Sequence, residues 1–191
     1  MEIHQHTRVK DRLAVNAPFP SVAAQKVADL LTHCPVAGGT PLHQINGLAG
    51  PAKLWVKDER GRMGLGSFKA LGAAYVIAAE AAAISETPDK TTLAGRTYIT
   101  ASAGNHGLSL AAGAKVFGAT AIVCIADTVP ESFAQRLAAM GAEVRREGPD
   151  YAASMQGAQT AAQKEGLTLL SDSSWDGYIG CLLYTSDAAD D

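Results

Sequence analysis

The chain has 191 residues, and its 16 basic and 19 acidic side chains give a formal net charge of −3. Apolar residues make up 47% of the sequence, which is enough to bury a core and excludes global disorder. The net charge is small and negative, and the sequence contains no block of like charges. We therefore exclude nucleic acid and anionic membrane surfaces from the expected partners.

The sequence also lacks the patterns of membrane, secreted and metal-binding proteins. No segment approaches the roughly 18 uninterrupted apolar residues of a membrane span. The first residues lack a secretion signal, so we expect a cytoplasmic location. Cys34, Cys124 and Cys181 form no Cys-x-x-Cys motif, which favours neither disulfides nor a zinc site, and the histidines predict no metal. We expect Cys124 to be a small buried side chain in a strand.

The first part of the chain is predicted to be largely irregular. The predicted order is a lead-in over 1–20, a helix over 21–31 capped by Ser21, a loop over 33–51, a strand over 53–57, a glycine-rich loop over 58–67 and a helix over 68–84. In the last helix, apolar spacing indicates one buried face, made of Leu71, Ala74, Tyr75, Ala78 and Ala82.

From residue 96, predicted strands and helices alternate. The strands are 97–100, 119–126, 142–146 and 167–170, and the helices are 105–117, 128–140 and 150–165. Residues 128–131 match a capping box, and Asp150 is a predicted helix cap. Glycines at 118, 141 and 166 each follow a helix, where a left-handed backbone is common. This order predicts an α/β fold, with a parallel sheet and helices on both faces.

Lys69 is the first candidate for chemistry, because ligands of parallel sheets bind at the carboxyl ends of strands and the starts of the next helices. It follows a glycine-rich loop and lies in a first helical turn, where the helix dipole disfavours an ammonium by roughly 0.3–1 kcal/mol. A neutral amine can attack a carbonyl to form a Schiff base. The alternative is a solvated surface lysine. The loop does not match the nucleotide phosphate loop, which requires Lys-Ser or Lys-Thr where Ser67-Phe68 follow Gly66. It does not match the Gly-x-Gly-x-x-Gly motif of dinucleotide-binding proteins either, because Lys69 stands in place of the third glycine.

Two further segments lie at the same expected edge. The small residues of Ser102-Ala-Gly-Asn-His-Gly107 would let backbone N–H groups approach a carboxylate or phosphate. Asn105 could instead be a helix cap, and His106 a core histidine. Asp172 follows the last strand and is either a turn residue or a carboxylate that acts as acid or base.

Together and in this order, these segments resemble the fold-type II pyridoxal-phosphate enzymes, the tryptophan synthase β-like family. The diaminopropionate ammonia-lyases and threonine dehydratase-like members are the most similar. The resemblance covers about residues 35–180, and its motifs are Gly39-Thr-Pro-Leu42, Lys57-Asp-Glu59, Gly64-Leu-Gly-Ser-Phe-Lys69-Ala-Leu-Gly72, Ser102-Ala-Gly-Asn-His-Gly107 and Ser171-Asp-Ser-Ser-Trp-Asp-Gly-Tyr178. It implies a three-layer αβα fold, pyridoxal 5'-phosphate as cofactor, a small amino acid as substrate and a homodimer for the full-length enzyme.

The resemblance also implies site roles. Lys69 would bind the cofactor through a Schiff base, Asn105 would hydrogen-bond the phenolic oxygen of the cofactor, and Phe68 would pack beside its ring. Lys69 and Asp172 would be catalytic, with Lys69 removing the Cα proton and Asp172 protonating a departing amine. The residues that would bind the substrate carboxylate are Ser102, Ala103, Gly104 and His106.

The implied activity is α,β-elimination on a small amino acid, 2,3-diaminopropionate, to give pyruvate and ammonia. The ammonia-lyases usually carry an aspartate where this chain has Ala103, a departure that favours the alternative of a serine or threonine dehydratase-type elimination. Family members are considerably longer, and their glycine-rich loop for the cofactor phosphate has no counterpart here. We therefore expect an N-terminal portion of such an enzyme, and a ligand-binding domain without activity or an inactive fragment stays possible.

The expected division of the chain has three parts. Residues 1–68 would form the lead-in and part of the large cofactor domain, and residues 69–180 a small α/β domain, with the second domain incomplete. Residues 181–191 have no cap, no periodicity and an acidic end, so we interpret them as a non-native tail that resembles adapter sequence.

Overall fold

The computed structural model describes residues 24–47 and 53–173. The helices in these ranges are α1 (Ala24–Leu31), α2 (Ala73–Ile84), α3 (Asn105–Phe117), α4 (Glu131–Ala139) and α5 (Tyr151–Glu165). The strands are β1 (Leu42–Ile45), β2 (Leu54–Lys57), β3 (Thr97–Ala101), β4 (Thr120–Ile125), β5 (Glu143–Arg146) and β6 (Thr168–Leu169). Two 3₁₀ segments, Glu59–Gly64 and Phe68–Leu71, precede α2. The predicted cap Ser21 and the predicted tail 181–191 lie outside the described residues.

The centre of the fold is a parallel sheet with the strand order β5-β4-β3-β6. Alternate side chains leave its two faces, as the pleat requires. Tyr98 and Val123 pack in the core formed with α2, α3 and α4, whereas Ile99 and Cys124 pack against α5. The predicted α/β fold with helices on both faces is therefore confirmed, as is the buried position of Cys124 within β4.

Within the described residues, the three glycines and the Asp150 cap agree with the sequence, whereas Asn105 is not the cap of α3, since Gly104 takes that position. Gly118, Gly141 and Gly166 have φ of 75°, 94° and 68°, the left-handed backbone expected of them. Asp150 caps α5 by accepting a hydrogen bond from the Ala153 N–H at 2.9 Å. The predicted capping box over 128–131 is wrong, because α4 begins after Pro130 and has no side-chain cap.

Two other expectations for the first part of the chain are wrong. The predicted loop over 33–51 contains β1, which pairs antiparallel with β2. The predicted helix over 68–84 is interrupted at Gly72, where the 3₁₀ segment ends and α2 begins. After that break α2 buries Ala73, Ile77 and Ala81. Of the predicted face, Leu71 is buried and Tyr75 packs against it, whereas Ala82 is exposed. None of the helices in the described ranges has the length and apolar character needed to cross a membrane.

Candidate active site

Lys69 is held in the short 3₁₀ segment between the glycine-rich loop and α2. Its N–H donates to the Ser67 hydroxyl at 3.2 Å, and its carbonyl accepts from the Gly72 N–H at 3.1 Å. Gly66, just before this turn, has a φ of 78°, which glycine adopts without strain. The backbone of Lys69 is therefore fixed, while 40% of its side chain is exposed.

The amine of Lys69 forms a salt bridge with Asp172, with Nζ and Oδ2 2.6 Å apart. These residues are 103 positions apart in the chain, and the fold brings them together beside the end of β6, although Lys69 follows β2, which pairs with β1 outside the parallel sheet. Burial by itself raises the pKa of Asp172, but the hydrogen bond from Lys69 and the charge of that amine hold the pKa below its ordinary value. Asp172 is therefore a carboxylate at neutral pH.

The loop before α3 is organised by Ser102. Its hydroxyl accepts hydrogen bonds from the Gly104 N–H at 3.2 Å and the Gly107 N–H at 2.9 Å. Ala103 and Asn105 are exposed on this loop, and a Cβ added at Gly104 would meet nothing within 4 Å. The start of α3 thus presents open backbone with the positive end of the helix dipole, which suits an anion.

His106 is buried beneath this loop, with 2% of its surface exposed. Its Nε2 donates to the Leu170 carbonyl at 2.9 Å, which links α3 to the end of β6 two residues before Asp172. Burial lowers the pKa of His106, so the ring is neutral at pH 7. The structure thus places His106 in the core, and its predicted contact with a substrate stays a prediction.

Two motifs of the first part of the chain are joined by Arg62. Its guanidinium donates to both carboxylate oxygens of Glu59, at 2.6 and 2.8 Å, and to the Thr40 hydroxyl at 3.0 Å and the Gly38 carbonyl at 3.2 Å. These hydrogen bonds tie the 39–42 segment to the loop that precedes Lys69. The bonds from Arg62 outweigh burial and lower the pKa of Glu59 to about 2.

Three further residues around Lys69 and Asp172 have no role predicted from the sequence. Ser67 caps the backbone of Lys69, and Ser109 supports the same turn from α3. Tyr151 begins α5, and its pKa is raised by burial and by the charge of Asp172, so it lies beside that carboxylate. The rule that helix starts share one sheet edge could have found Tyr151, and Ser67 belongs to the motif that carries Lys69, whereas Ser109 carries no sequence signal. Within residues 24–47 and 53–173, no group of three or more His, Cys, Asp or Glu side chains could hold a metal ion.

Comparison with known proteins adds the family. The family described as "Pyridoxal-phosphate dependent enzyme" matches residues 34–188. The chain belongs to this family. Its cofactor is pyridoxal 5'-phosphate, and the groups at the site fit it: the exposed amine of Lys69 can condense with an aldehyde, and the open start of α3 suits an anionic group.

Within the family, the chain is similar to diaminopropionate ammonia-lyases. It is 31% identical to that of Salmonella typhimurium over 155 residues, which cover 73% of this chain and 38% of the relative. Identity to that of Escherichia coli K12 is 30% over 160 residues, covering 76% and 40%. A putative threonine dehydratase of Sinorhizobium fredii is 35% identical over 75 residues, covering 39% of this chain and 23% of the relative.

The fold agrees with solved structures of the same group. The crystal structure of holo diaminopropionate ammonia-lyase from Escherichia coli matches with a TM-score of 0.79 and 26% identity, covering 89% of this chain and 47% of that one. The apo form matches with a TM-score of 0.78 and 27% identity, covering 88% and 49%. The chain spans about 40% of the length of its curated ammonia-lyase relatives.

Proposed function

We propose that this chain carries the reactive lysine of a pyridoxal-phosphate-dependent ammonia-lyase that converts 2,3-diaminopropionate and water into pyruvate and two molecules of ammonia. The observation that carries this proposal is the 2.6 Å contact between Lys69 Nζ and Asp172 Oδ2 beside the start of α3. An amine and a carboxylate this close together can serve as proton acceptor and proton donor for the same small substrate. The similarity to diaminopropionate ammonia-lyases supports this choice of substrate.

The elimination moves two protons, one from Cα of the substrate and one to the departing amine, and we assign each to a residue of this chain. The bound cofactor supplies an electron sink that weakens the Cα–H bond of the substrate. Lys69 would hold the cofactor through its Nζ, and the same amine would be the base that accepts the Cα proton of the substrate. Without the hydrogen bond and charge of Lys69, Asp172 loses interactions that lower its pKa, while the burial that raises this pKa remains. The carboxyl can then hold a proton at Oδ2 and give it to the departing amine nitrogen.

The other site residues bind and orient. We assign Asn105, exposed at the start of α3, to the phenolic oxygen of the cofactor, and Phe68, exposed beside Lys69, to the face of its ring. The backbone N–H groups of the loop over 102–106 would bind the substrate carboxylate. Ser102 keeps that loop in shape through its bonds to Gly104 and Gly107. The homodimer, the cytoplasmic location and the domain division at residue 68 stay predictions.

A second candidate is a dehydratase-type elimination from serine or threonine. The methyl group of Ala103 provides no acid or base on the open side of the loop, so Asp172 is the acidic side chain left to protonate a leaving group there among the described residues. A departing hydroxyl needs one proton, as a departing amine does, and Asp172 could supply it. The similarity to the putative threonine dehydratase supports this alternative.

The test is a comparison of three substrates with the same enzyme preparation. The chain, supplied with pyridoxal phosphate, is incubated with 2,3-diaminopropionate, serine or threonine, and keto acid and ammonia are both measured. We expect two ammonia per pyruvate from diaminopropionate, and loss of turnover in Lys69→Ala and Asp172→Asn. Asp127→Asn, at the exposed end of β4, and Lys115→Ala, on the surface of α3, are the matched controls that retain turnover.

The outcomes separate the candidates. Faster keto acid release from serine or threonine, with one ammonia per keto acid, would favour the dehydratase. Cofactor binding at Lys69 without keto acid from any of the three substrates would instead favour a ligand-binding protein. Full turnover in Lys69→Ala would refute both eliminations.

A further inference from the structure

Ser109 connects the helix that carries Asn105 to the turn that carries Lys69. It lies one helical turn after Asn105 on α3 and is completely buried. Its Oγ accepts a hydrogen bond from the Ala74 N–H at 3.0 Å and donates one to the Ala70 carbonyl at 3.3 Å. Ala70 is the neighbour of Lys69, so this hydroxyl bonds directly to the backbone that holds the amine.

The two backbone groups need this partner because Gly72 interrupts the helix between them. Gly72 has φ −83° and ψ −94°, which ends the 3₁₀ segment and starts α2. The N–H of Ala74 lies in the first turn of α2, where no earlier helical carbonyl is in place to accept it. Buried backbone groups without a partner are costly, and the Ser109 hydroxyl satisfies both sides of the break.

We propose that Ser109 is a positioning residue that fixes Lys69 relative to the Asn105 loop and to Asp172. The functional reason for this positioning rests on the proposed function, because Lys69 and Asn105 would both have to contact the same cofactor. The geometry itself does not depend on it. If the hydroxyl is lost, the 3₁₀ segment is no longer bonded to α3, and Nζ is no longer held 2.6 Å from Asp172.

The reactivity of the Lys69 amine measures this positioning without cofactor or substrate. A dilute acylating reagent is added to the chain, and the rate at Lys69 is compared by peptide mass spectrometry with that at Lys115 in the same sample. The salt bridge to Asp172 slows acylation of Lys69, and Asp172→Asn gives the rate of the unpaired amine. Because both side chains of the pair are partly exposed, we expect that difference to be about threefold to fivefold.

Ser109→Ala should raise the Lys69 rate to that of Asp172→Asn, and Ser109→Thr, which keeps the hydroxyl, should retain the slow rate. The matched control is Ser154→Ala, because Ser154 is also buried but bonds to the Tyr151 carbonyl within its own helix on the other face of the sheet. Ser154→Ala should leave the Lys69 rate unchanged. A folded Ser109→Ala variant with the wild-type rate would overturn the proposal.

A measurement on the unaltered chain covers the case in which Ser109→Ala does not fold. Ala74 is the second residue of α2, and Ser132 is the exposed second residue of α4. Amide hydrogen exchange should be at least about tenfold slower at Ala74, because its N–H is bonded to the buried serine. Equal exchange at the two amides would overturn the proposal. Neither readout involves turnover, so a failed activity assay would not affect this result.

Discussion

The C-terminal end of α3 provides a quantitative test of how this helix packs. Gly118 has a φ of 75°, and a Cβ added there would lie 2.0 Å from the Lys90 carbonyl oxygen, well inside any contact that Cβ atoms make. A left-handed backbone costs an alanine about 1–2 kcal/mol, and forced overpacking adds about 1–3 kcal/mol. We therefore expect Gly118→Ala to lower the free energy of unfolding by about 2–5 kcal/mol.

Gly166 provides the control, because it ends α5 with a φ of 68° and an added Cβ would meet nothing within 4 Å. Gly166→Ala should show the backbone cost alone, about 1–2 kcal/mol. The assay is urea unfolding of both variants followed by circular dichroism, with the difference between their free energies of unfolding as the result. Equal destabilisation by the two substitutions would mean that the contact between Gly118 and Lys90 is not present in the protein.

Two further predictions concern pH. Burial lowers the pKa of His106 in the folded chain, so as pH falls below about 6.5 this histidine is protonated in the unfolded chain before it is protonated in the folded one. His106 therefore contributes to the loss of stability below that pH. His106→Gln should show a shallower decline in urea midpoint between pH 7 and 5, and an identical decline would contradict a buried neutral ring. Glu59 has a pKa of about 2 in the fold against an ordinary value of 4.5. Its stabilising contribution is complete above its ordinary pKa and is lost as pH falls toward the lowered value, so Glu59→Gln should remove part of the acid sensitivity, with Glu131→Gln on the exposed start of α4 as the control.

The part of the chain after residue 96 is the part that the sequence predicts well. There, strong local signals coincide: apolar strands, helix caps and glycines in left-handed positions all agree with the sheet. The start and end of α3 and the cap of α5 are as expected. The capping box before α4 fails because Pro130 takes the capping position.

The first part of the chain is predicted less well because tertiary contacts decide its structure. The four residues of β1 form a strand by pairing with β2, and no local sequence pattern predicts this pairing. In α2 the many alanines make nearly every face apolar, so the break at Gly72, and not the periodicity, selects the buried side.

In the candidate site, too, some contacts could be predicted from the sequence and others depend on tertiary structure. The sequence predicts that Lys69 and Asp172 lie at one site, and the structure joins them, but the rule for parallel strands applies to Asp172 alone, because Lys69 follows a strand outside the parallel sheet. The buried bonds of His106 and Ser109 depend on which helix crosses which turn, and a linear sequence does not contain that information. The roles assigned to these residues stay predictions until they are measured.

The most direct test of the central claim is to trap the lysine that binds the cofactor. The chain is mixed with pyridoxal phosphate, reduced with borohydride and digested, and the phosphopyridoxyl label is located by peptide mass spectrometry. The account predicts that the label is concentrated at Lys69 and that Lys69→Ala leaves the protein without a dominant site. A label spread evenly over surface lysines such as Lys115, or absent from Lys69, would contradict it.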